Sequence, residues 1–309
     1  MTTLLVTHPA CLDHLTPLGH PERPDRLRAV EAALGHARFA PLWREEAPTL
    51  PLETIALCHP LDYVTHIRDS TPKQGMVRID ADTTMSPGSF EAALRAAGGA
   101  VFAVSSVIAK KAANAFVATR PPGHHAETAR AMGFCLFNNV AIAARHAQDR
   151  HGLERVAIVD FDVHHGNGSQ DIFWSDPTVM YCSTHEMPLY PGTGAPSERG
   201  AHNNIVNAPL RAGDGGAKFR EAMSVAILPR LKAFRPDLIL ISAGFDAHKR
   251  DPLANLQLVE EDFAWVTREL MAAADASAGG RVVSVLEGGY DLDGLAQSAA
   301  AHVTALMQG

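Results

Sequence analysis

Apolar residues along this chain fall into two alternating patterns. Short, nearly continuous runs rich in β-branched residues occupy Leu4–Thr7, Phe116–Thr119, Val156–Phe161, Val179–Ser183, Leu238–Ser242 and Val282–Leu286. Such runs predict strands buried on both faces of a parallel sheet, because a strand with one wet face would alternate apolar and polar. Longer stretches separate them: Ser89–Lys111, Asn138–Arg150, Phe219–Phe234, Glu260–Ala274 and Leu292–Met307 carry apolar residues at three- and four-residue spacing. That spacing predicts amphipathic helices. Ser86-Pro87 ahead of the first supplies a capping residue followed by proline. Strands alternating with helices of this length predict βαβ units and a doubly wound α/β fold. No repeat, low-complexity tract, charge block or linker divides the sequence, so residues 1–309 read as one domain.

Composition narrows function more than fold. The 27 Lys+Arg against 34 Asp+Glu give a net charge of −7, which argues against direct nucleic-acid binding by bulk charge. A hydrophobic share of 46% with 20% charged residues is ordinary for a globular chain. No charge-free apolar run of about 18 residues occurs, so no membrane span is expected. Residues 1–8 lack the layout of a secretory signal. Cys11, Cys58, Cys135 and Cys182 are scattered without a Cys-x-x-Cys, which predicts neither a disulfide frame nor a thiolate zinc site. The expected location is the cytoplasm. What stands out is 16 histidines against 4 tyrosines and 3 tryptophans.

Ligands of open α/β sheets bind beyond the carboxyl ends of the strands. Four predicted strands deliver metal- or proton-handling residues there: Arg120-Pro-Pro-Gly-His124-His125, Asp160-Phe-Asp162-Val-His164-His165-Gly-Asn167-Gly, Ala243-Gly-Phe-Asp246-Ala-His248 and Glu287-Gly-Gly-Tyr290. With a side-chain period of two, Asp160, Asp162 and His164 project to one side, so a carboxylate and an imidazole can share a cation. Asp246 offers a third ligand. Two oxygens and one nitrogen leave a coordination position open, as in catalytic sites. Zinc is the first choice; ferrous iron, cobalt and manganese also suit these ligands. Adjacent histidines on a loop have little packing rationale, so His124 and His125 read as a base and its support, with Asp160 able to fix one tautomer. Tyr290, after two glycines, can donate to an oxyanion. Cys135 and Cys182 are expected in the packing, and His146, His151 and His302 on solvated helix faces. His165 is expected to support the fold or the site, and His248 is a candidate for the site entrance.

These motifs resemble the histone deacetylase/acetylpolyamine amidohydrolase superfamily, class II-like. The resemblance runs through His20-Pro-Glu-Arg-Pro-Asp-Arg26, Ile79-Asp-Ala-Asp-Thr-Thr, Arg120-Pro-Pro-Gly-His-His-Ala126 and Gly133-Phe-Cys-Leu-Phe-Asn-Asn139. It continues in Asp160–Gly168, Tyr190-Pro-Gly-Thr-Gly194, Gly244-Phe-Asp-Ala247 and Glu287–Tyr290. It implies a three-layer α/β/α fold around a mainly parallel eight-stranded sheet, and zinc-dependent hydrolysis of an N-acyl amide on a linear amine. By position, Asp162, His164 and Asp246 match the ligands of one zinc ion. His125 matches the general base, His124 its neighbour, and Tyr290 the carbonyl-polarising tyrosine. Asp160 matches a residue that supports His124 and joins a structural potassium site with Ser183 and the carbonyls of Asp162 and His164. Gly133, Phe134, Tyr190 and Leu253 match the substrate channel, and Arg26 an internal cavity for acetate release.

Asn167 stands where some branches carry Asp, which makes the protonated form of His125 less favourable. Leu253 stands where polyamine-selective relatives carry Glu, which favours acyl-lysine in peptides or proteins over acetylated polyamines. An arginase-like dimetal hydrolase and a noncatalytic acyl-lysine binder are the more distant alternatives. A monomer and a homo-oligomer are equally compatible with these patterns.

Overall fold

The six predicted strands all form, and they pair in one sheet. The computed structural model describes residues 2–309, so only Met1 of the predicted domain lies outside the described residues. In chain order the strands are β1 (Leu4–Thr7), β2 (Trp43–Glu46), β3 (Val77–Arg78), β4 (Thr84–Met85), β5 (Ala115–Val117), β6 (Val156–Asp160), β7 (Val179–Glu186), β8 (Ile205–Leu210), β9 (Leu238–Ala243) and β10 (Val282–Leu286). Eight of them form a sheet in the order β2-β1-β5-β10-β9-β6-β7-β8, with every neighbouring pair parallel. β3 and β4 make a separate antiparallel ribbon.

Alternation within each strand builds the layers. In β9, Leu238 and Leu240 enter one core while Ile239 and Ile241 enter the other. The first core is closed by helices Leu61–Asp69, Ser89–Ile108 and Asn139–His151. The second is closed by Pro24–Leu34, the helical stretch 216–234, Glu260–Ser277 and Leu292–Gln308. Both faces of the sheet are therefore sealed, which is why its central strands are apolar throughout. Helix Ser89–Ile108 is long and apolar enough to cross a membrane, but 72% of its apolar window is buried in the first core.

The differences from expectation have physical causes. β2 and β8 lie at the two edges: β2, with alternate residues exposed, reads Trp-Arg-Glu-Glu, while β8 is mostly buried but its apolar run is broken by Asn207 and Pro209. The predicted helix Phe219–Phe234 is interrupted by a π-helical turn, Met223–Ile227, just before Pro229. Proline lacks the N–H and crowds the preceding turn, and the wider turn absorbs it. His302 is not solvated. It is fully buried, with Nδ1 2.6 Å from Thr267 Oγ1 and Nε2 2.8 Å from Ser284 Oγ. It shares a helix face with Leu295, Ala299 and Leu306, so the helical period points it inward. His146 and His151 are half-buried and meet at Ser105 Oγ, 2.9 and 3.1 Å away. Cys135 and Cys182 are buried, as expected.

Candidate active site

The chain leaves β6 still alternating. Phe161 and Val163 turn into the second core, which leaves Asp160, Asp162 and His164 on the opposite side. Asp246 arrives from the end of the neighbouring β9. One ligand atom each from Asp162, His164 and Asp246 lies within 4.8 Å of the other two, and all three residues are buried. His164 Nδ1 faces both carboxylates, 3.2 Å from Asp162 Oδ1 and 3.2 Å from Asp246 Oδ2. The backbone fixes the acids: Gly288 N–H donates to Asp162 Oδ2 at 2.8 Å, and Val163 N–H to Asp246 Oδ1 at 2.8 Å. Only glycine fits at 288, since a Cβ there would run into both carboxylates.

Burial opposes charge on all three groups, and the outcome depends on their neighbours. For Asp162, the positive His124 and His164 outweigh burial and hold the carboxyl well below its usual range. Asp246 is pushed up to about 6 by burial and by the negative Asp162. Burial works against the His164 imidazolium, but hydrogen bonds to Asp162 and Asp246 carry it up to about 10. The imidazolium thus supplies the positive charge that the two acids demand, and a divalent cation can replace its proton. Two carboxylate oxygens and one imidazole nitrogen are the donor set of an open, three-ligand metal site.

The tandem histidines adopt opposite charge states. His124 Nδ1 lies 3.0 Å from Asp160 Oδ2, which also accepts from the Tyr181 hydroxyl at 3.0 Å. Burial disfavours its charged form, yet Asp162 and Asp160 raise it to about 10. His125 is driven well below the usual imidazole range by burial, reinforced by the positive His124 and His164. Its Nδ1 lies 2.8 Å from Asn167 Oδ1. Asn167 Nδ2 donates to Glu127 Oε1 at 2.7 Å, so the amide oxygen must face His125. Nδ1 of the neutral ring is therefore the protonated nitrogen, and Nε2 carries the free lone pair.

A channel of about 210 Å³ ends on this group, lined by Asp82, His125, Gly133, Phe134, His164, Leu189, Tyr190, Leu253 and Tyr290. Gly133 has φ +57°, and a Cβ there would collide with the His125 ring. Phe134 also sits at a left-handed φ of 67°, strained for an aromatic residue. The turn between β3 and β4 holds both: Gly133 N–H donates to Asp82 Oδ1 at 3.0 Å and Phe134 N–H to Thr83 Oγ1 at 3.1 Å. The Phe134 and Tyr290 rings meet edge to face at 6.0 Å, and Tyr190 meets His125 at 5.1 Å. Burial and the nearby acids outweigh Arg26 and keep the Tyr290 phenol protonated.

Other expected residues have other surroundings. Arg26 is fully buried and donates to the carbonyls of Gly289 and Glu287 at 2.6 and 2.5 Å, with its guanidinium 4.9 Å from the Tyr290 ring centroid. Ser183 lies opposite Asp160 in the β6–β7 register, and its hydroxyl is 2.9 Å from His185 Nδ1. His165 supports the Tyr190 loop through Thr193 Oγ1 at 2.8 Å. His248 does not face the channel: it is buried, with Nε2 3.5 Å from Glu260 Oε1. Glu287 opens the Glu287–Tyr290 motif but received no role from the sequence; its Oε2 accepts from Gly123 and His124 N–H at 2.6 and 3.1 Å. Asp82 likewise lies in the Ile79–Thr84 motif without an assigned role, whereas Leu189 and Glu127 were missed, and nothing local distinguishes them.

Known proteins resemble this chain along nearly its whole length. The histone deacetylase domain family matches residues 20–306. A probable deacetylase of Archaeoglobus fulgidus is 40% identical over 303 residues, covering 95% of this chain and 83% of that protein. The histone deacetylase-like amidohydrolase of Pseudomonas aeruginosa is 40% identical over 278 residues, covering 88% of this chain and 73% of that protein. Among solved structures, the HDA15 HD domain superposes with a TM-score of 0.93 at 36% identity, over 99% of this chain and 88% of that one.

The charge states of the trio predict how a cation binds. Near pH 7, His164 is charged and both acids are largely ionised. Loading a divalent ion should release one proton, from His164, and apparent affinity should rise about tenfold per pH unit. Below about pH 6, protonation of Asp246 should steepen that dependence. Calorimetric titration with zinc in buffers of different ionisation enthalpy measures the proton count. A count of zero would contradict this account of the site.

Proposed function

The chain belongs to the histone deacetylase family of deacetylases and amidohydrolases, and on that footing we propose that it hydrolyses the acyl amide of acyl-lysine in peptides or proteins. In this reading Asp162, His164 and Asp246 hold one divalent cation, zinc before iron or cobalt. The observation that carries the substrate choice is the wall of the channel. Phe134, Leu189, Tyr190 and Leu253 line it, and its one acid, Asp82, accepts Gly133 N–H and the Thr83 hydroxyl on Oδ1. A neutral alkyl chain gains from that mostly apolar lining, whereas a polyamine would bury an ammonium with Asp82 as its one carboxylate neighbour, already engaged in holding the Gly133 loop.

When bound, the ion would supply Lewis acidity toward the acyl carbonyl and toward water. The remaining work belongs to side chains. His125, neutral and with Nε2 free, takes the proton of the attacking water. Tyr290 donates its hydroxyl proton in a hydrogen bond to the oxygen that becomes negative. His125 then returns its proton at Nε2 to the leaving amine, so the peptide leaves with its lysine side-chain amine free and the acyl group leaves as the carboxylic acid. His124 stays an imidazolium held by Asp160, and its positive charge keeps its neighbour neutral. Among the described residues, a single group of three ligating side chains has metal-binding spacing, which supports one ion per chain over the dimetal alternative.

We further place a structural potassium ion at Asp160 and Ser183 with the carbonyls of Asp162 and His164, supported by their opposed register. A reducing compartment such as the cytoplasm is supported by four buried, unpaired cysteines. Residues 2–309, described as two cores on one sheet, support treating the chain as a single domain.

Two measurements test this reading. With metal-defined enzyme, kcat/KM should be higher for acetyl-lysine peptides than for acetylated putrescine, cadaverine and spermidine; the opposite order would assign the polyamine activity instead. Asn167→Asp would place a carboxylate against His125 Nδ1 and raise that base. A base is lost as pH falls through its pKa, so the acidic limb of kcat/KM should move up by about one unit or more. An unmoved limb would show that His125 is not the base.

A further inference from the structure

Residues 287–291 join β10 to the last helix, and every peptide in this stretch is anchored. The carbonyls of Glu287 and Gly289 accept from Arg26, and Gly288 is tied to Asp162 and to Phe245 N–H. The far end has one anchor of its own. Asp251 Oδ2 accepts from Tyr290 N–H at 2.7 Å and from Asp291 N–H at 3.4 Å. Asp291 in turn caps the helix through Gly294 N–H at 2.7 Å.

Asp251 is buried, and its second oxygen is also occupied, accepting Leu253 N–H at 3.0 Å. The short turn closed by Oδ1 needs only that one oxygen. The other reaches across 39 residues of sequence to the residue whose phenol lines the channel. One carboxylate therefore joins two channel walls, the Leu253 side and the Tyr290 side. Arg26 holds the same loop by its carbonyls, so the Tyr290 peptide is gripped from both edges.

We propose that Asp251 is a positioning residue for Tyr290, fixing its backbone so that the phenol meets the developing oxyanion. This rests on the role given to Tyr290 above. Hydrogen-bond donors stabilise a transition state only when pre-aligned, and a displacement of about 1 Å is enough to lose roughly a hundredfold in rate. Asp251 itself touches neither substrate nor the reacting atoms.

The test is a double-mutant cycle on the metal-loaded full chain, with thermal midpoint and bound zinc measured for each variant. Tyr290→Phe should lower kcat by about 10²- to 10³-fold. Asp251→Asn replaces one acceptor oxygen by a donor and should lower kcat by about 10- to 100-fold with KM changed less than about twofold. In the Tyr290→Phe background the same substitution should change kcat by less than about twofold. Equal losses in both backgrounds, or a wild-type kcat for Asp251→Asn, would overturn the proposal. An unaffected Tyr290→Phe enzyme would instead overturn the role of Tyr290. If Asp251→Asn does not fold, Asp251→Glu, which keeps the charge but displaces the oxygens, enters the same cycle and is judged by the same non-additivity.

Discussion

Two carboxylates sealed from water within a few ångströms repel each other unless positive charge lies between them, and Asp162 and Asp246 stand in that relation at the ends of β6 and β9. Much of the surrounding chemistry answers this constraint. His164 faces both acids, Gly288 gives a backbone N–H where a side chain would collide, and His124 adds a second positive charge. Desolvating an unpaired charge costs several kcal/mol, so two ionised acids here call for a cation or an imidazolium between them. His164 fills that place, and protonation of Asp246 is the other way to relieve the repulsion.

The same charges set the division of labour between the adjacent histidines. Their rings are 4.0 Å apart, close enough that charge on one disfavours charge on the other. Asp160 and Asp162 win the proton for His124; His125, against the neutral amide of Asn167, stays a base. Had Asn167 been an acid, the asymmetry would be weaker. The orientation of that amide depends in turn on Glu127, so proton handling reaches back to a residue outside the channel.

Legibility in the sequence follows burial. The central strands and the polar residues clustered at their ends were readable because a strand covered on both faces has no freedom to be polar, and because residues two apart share a side. β2 escaped because its outer face is exposed, and β8 because Asn207 and Pro209 interrupt its apolar run. His302 was misplaced because a histidine among apolar helix positions reads as surface until its two hydroxyl partners, from other elements, are seen. Glu287, Asp251 and Asp82 act on backbone N–H groups distant in sequence, so even where they stand inside a motif nothing local names their partners. Asp162, His164 and Asp246 announce themselves by residue type and strand-end position; the residues that hold them in place do not.

In the function proposed above, Asp162, His164 and Asp246 together hold one cation. Elemental analysis of protein purified without chelators, alongside an Asp246→Asn variant of equal fold content, tests it directly. Close to one divalent ion per chain is expected in the native protein and almost none in the variant. Two ions per chain, or one ion retained without Asp246, would contradict it.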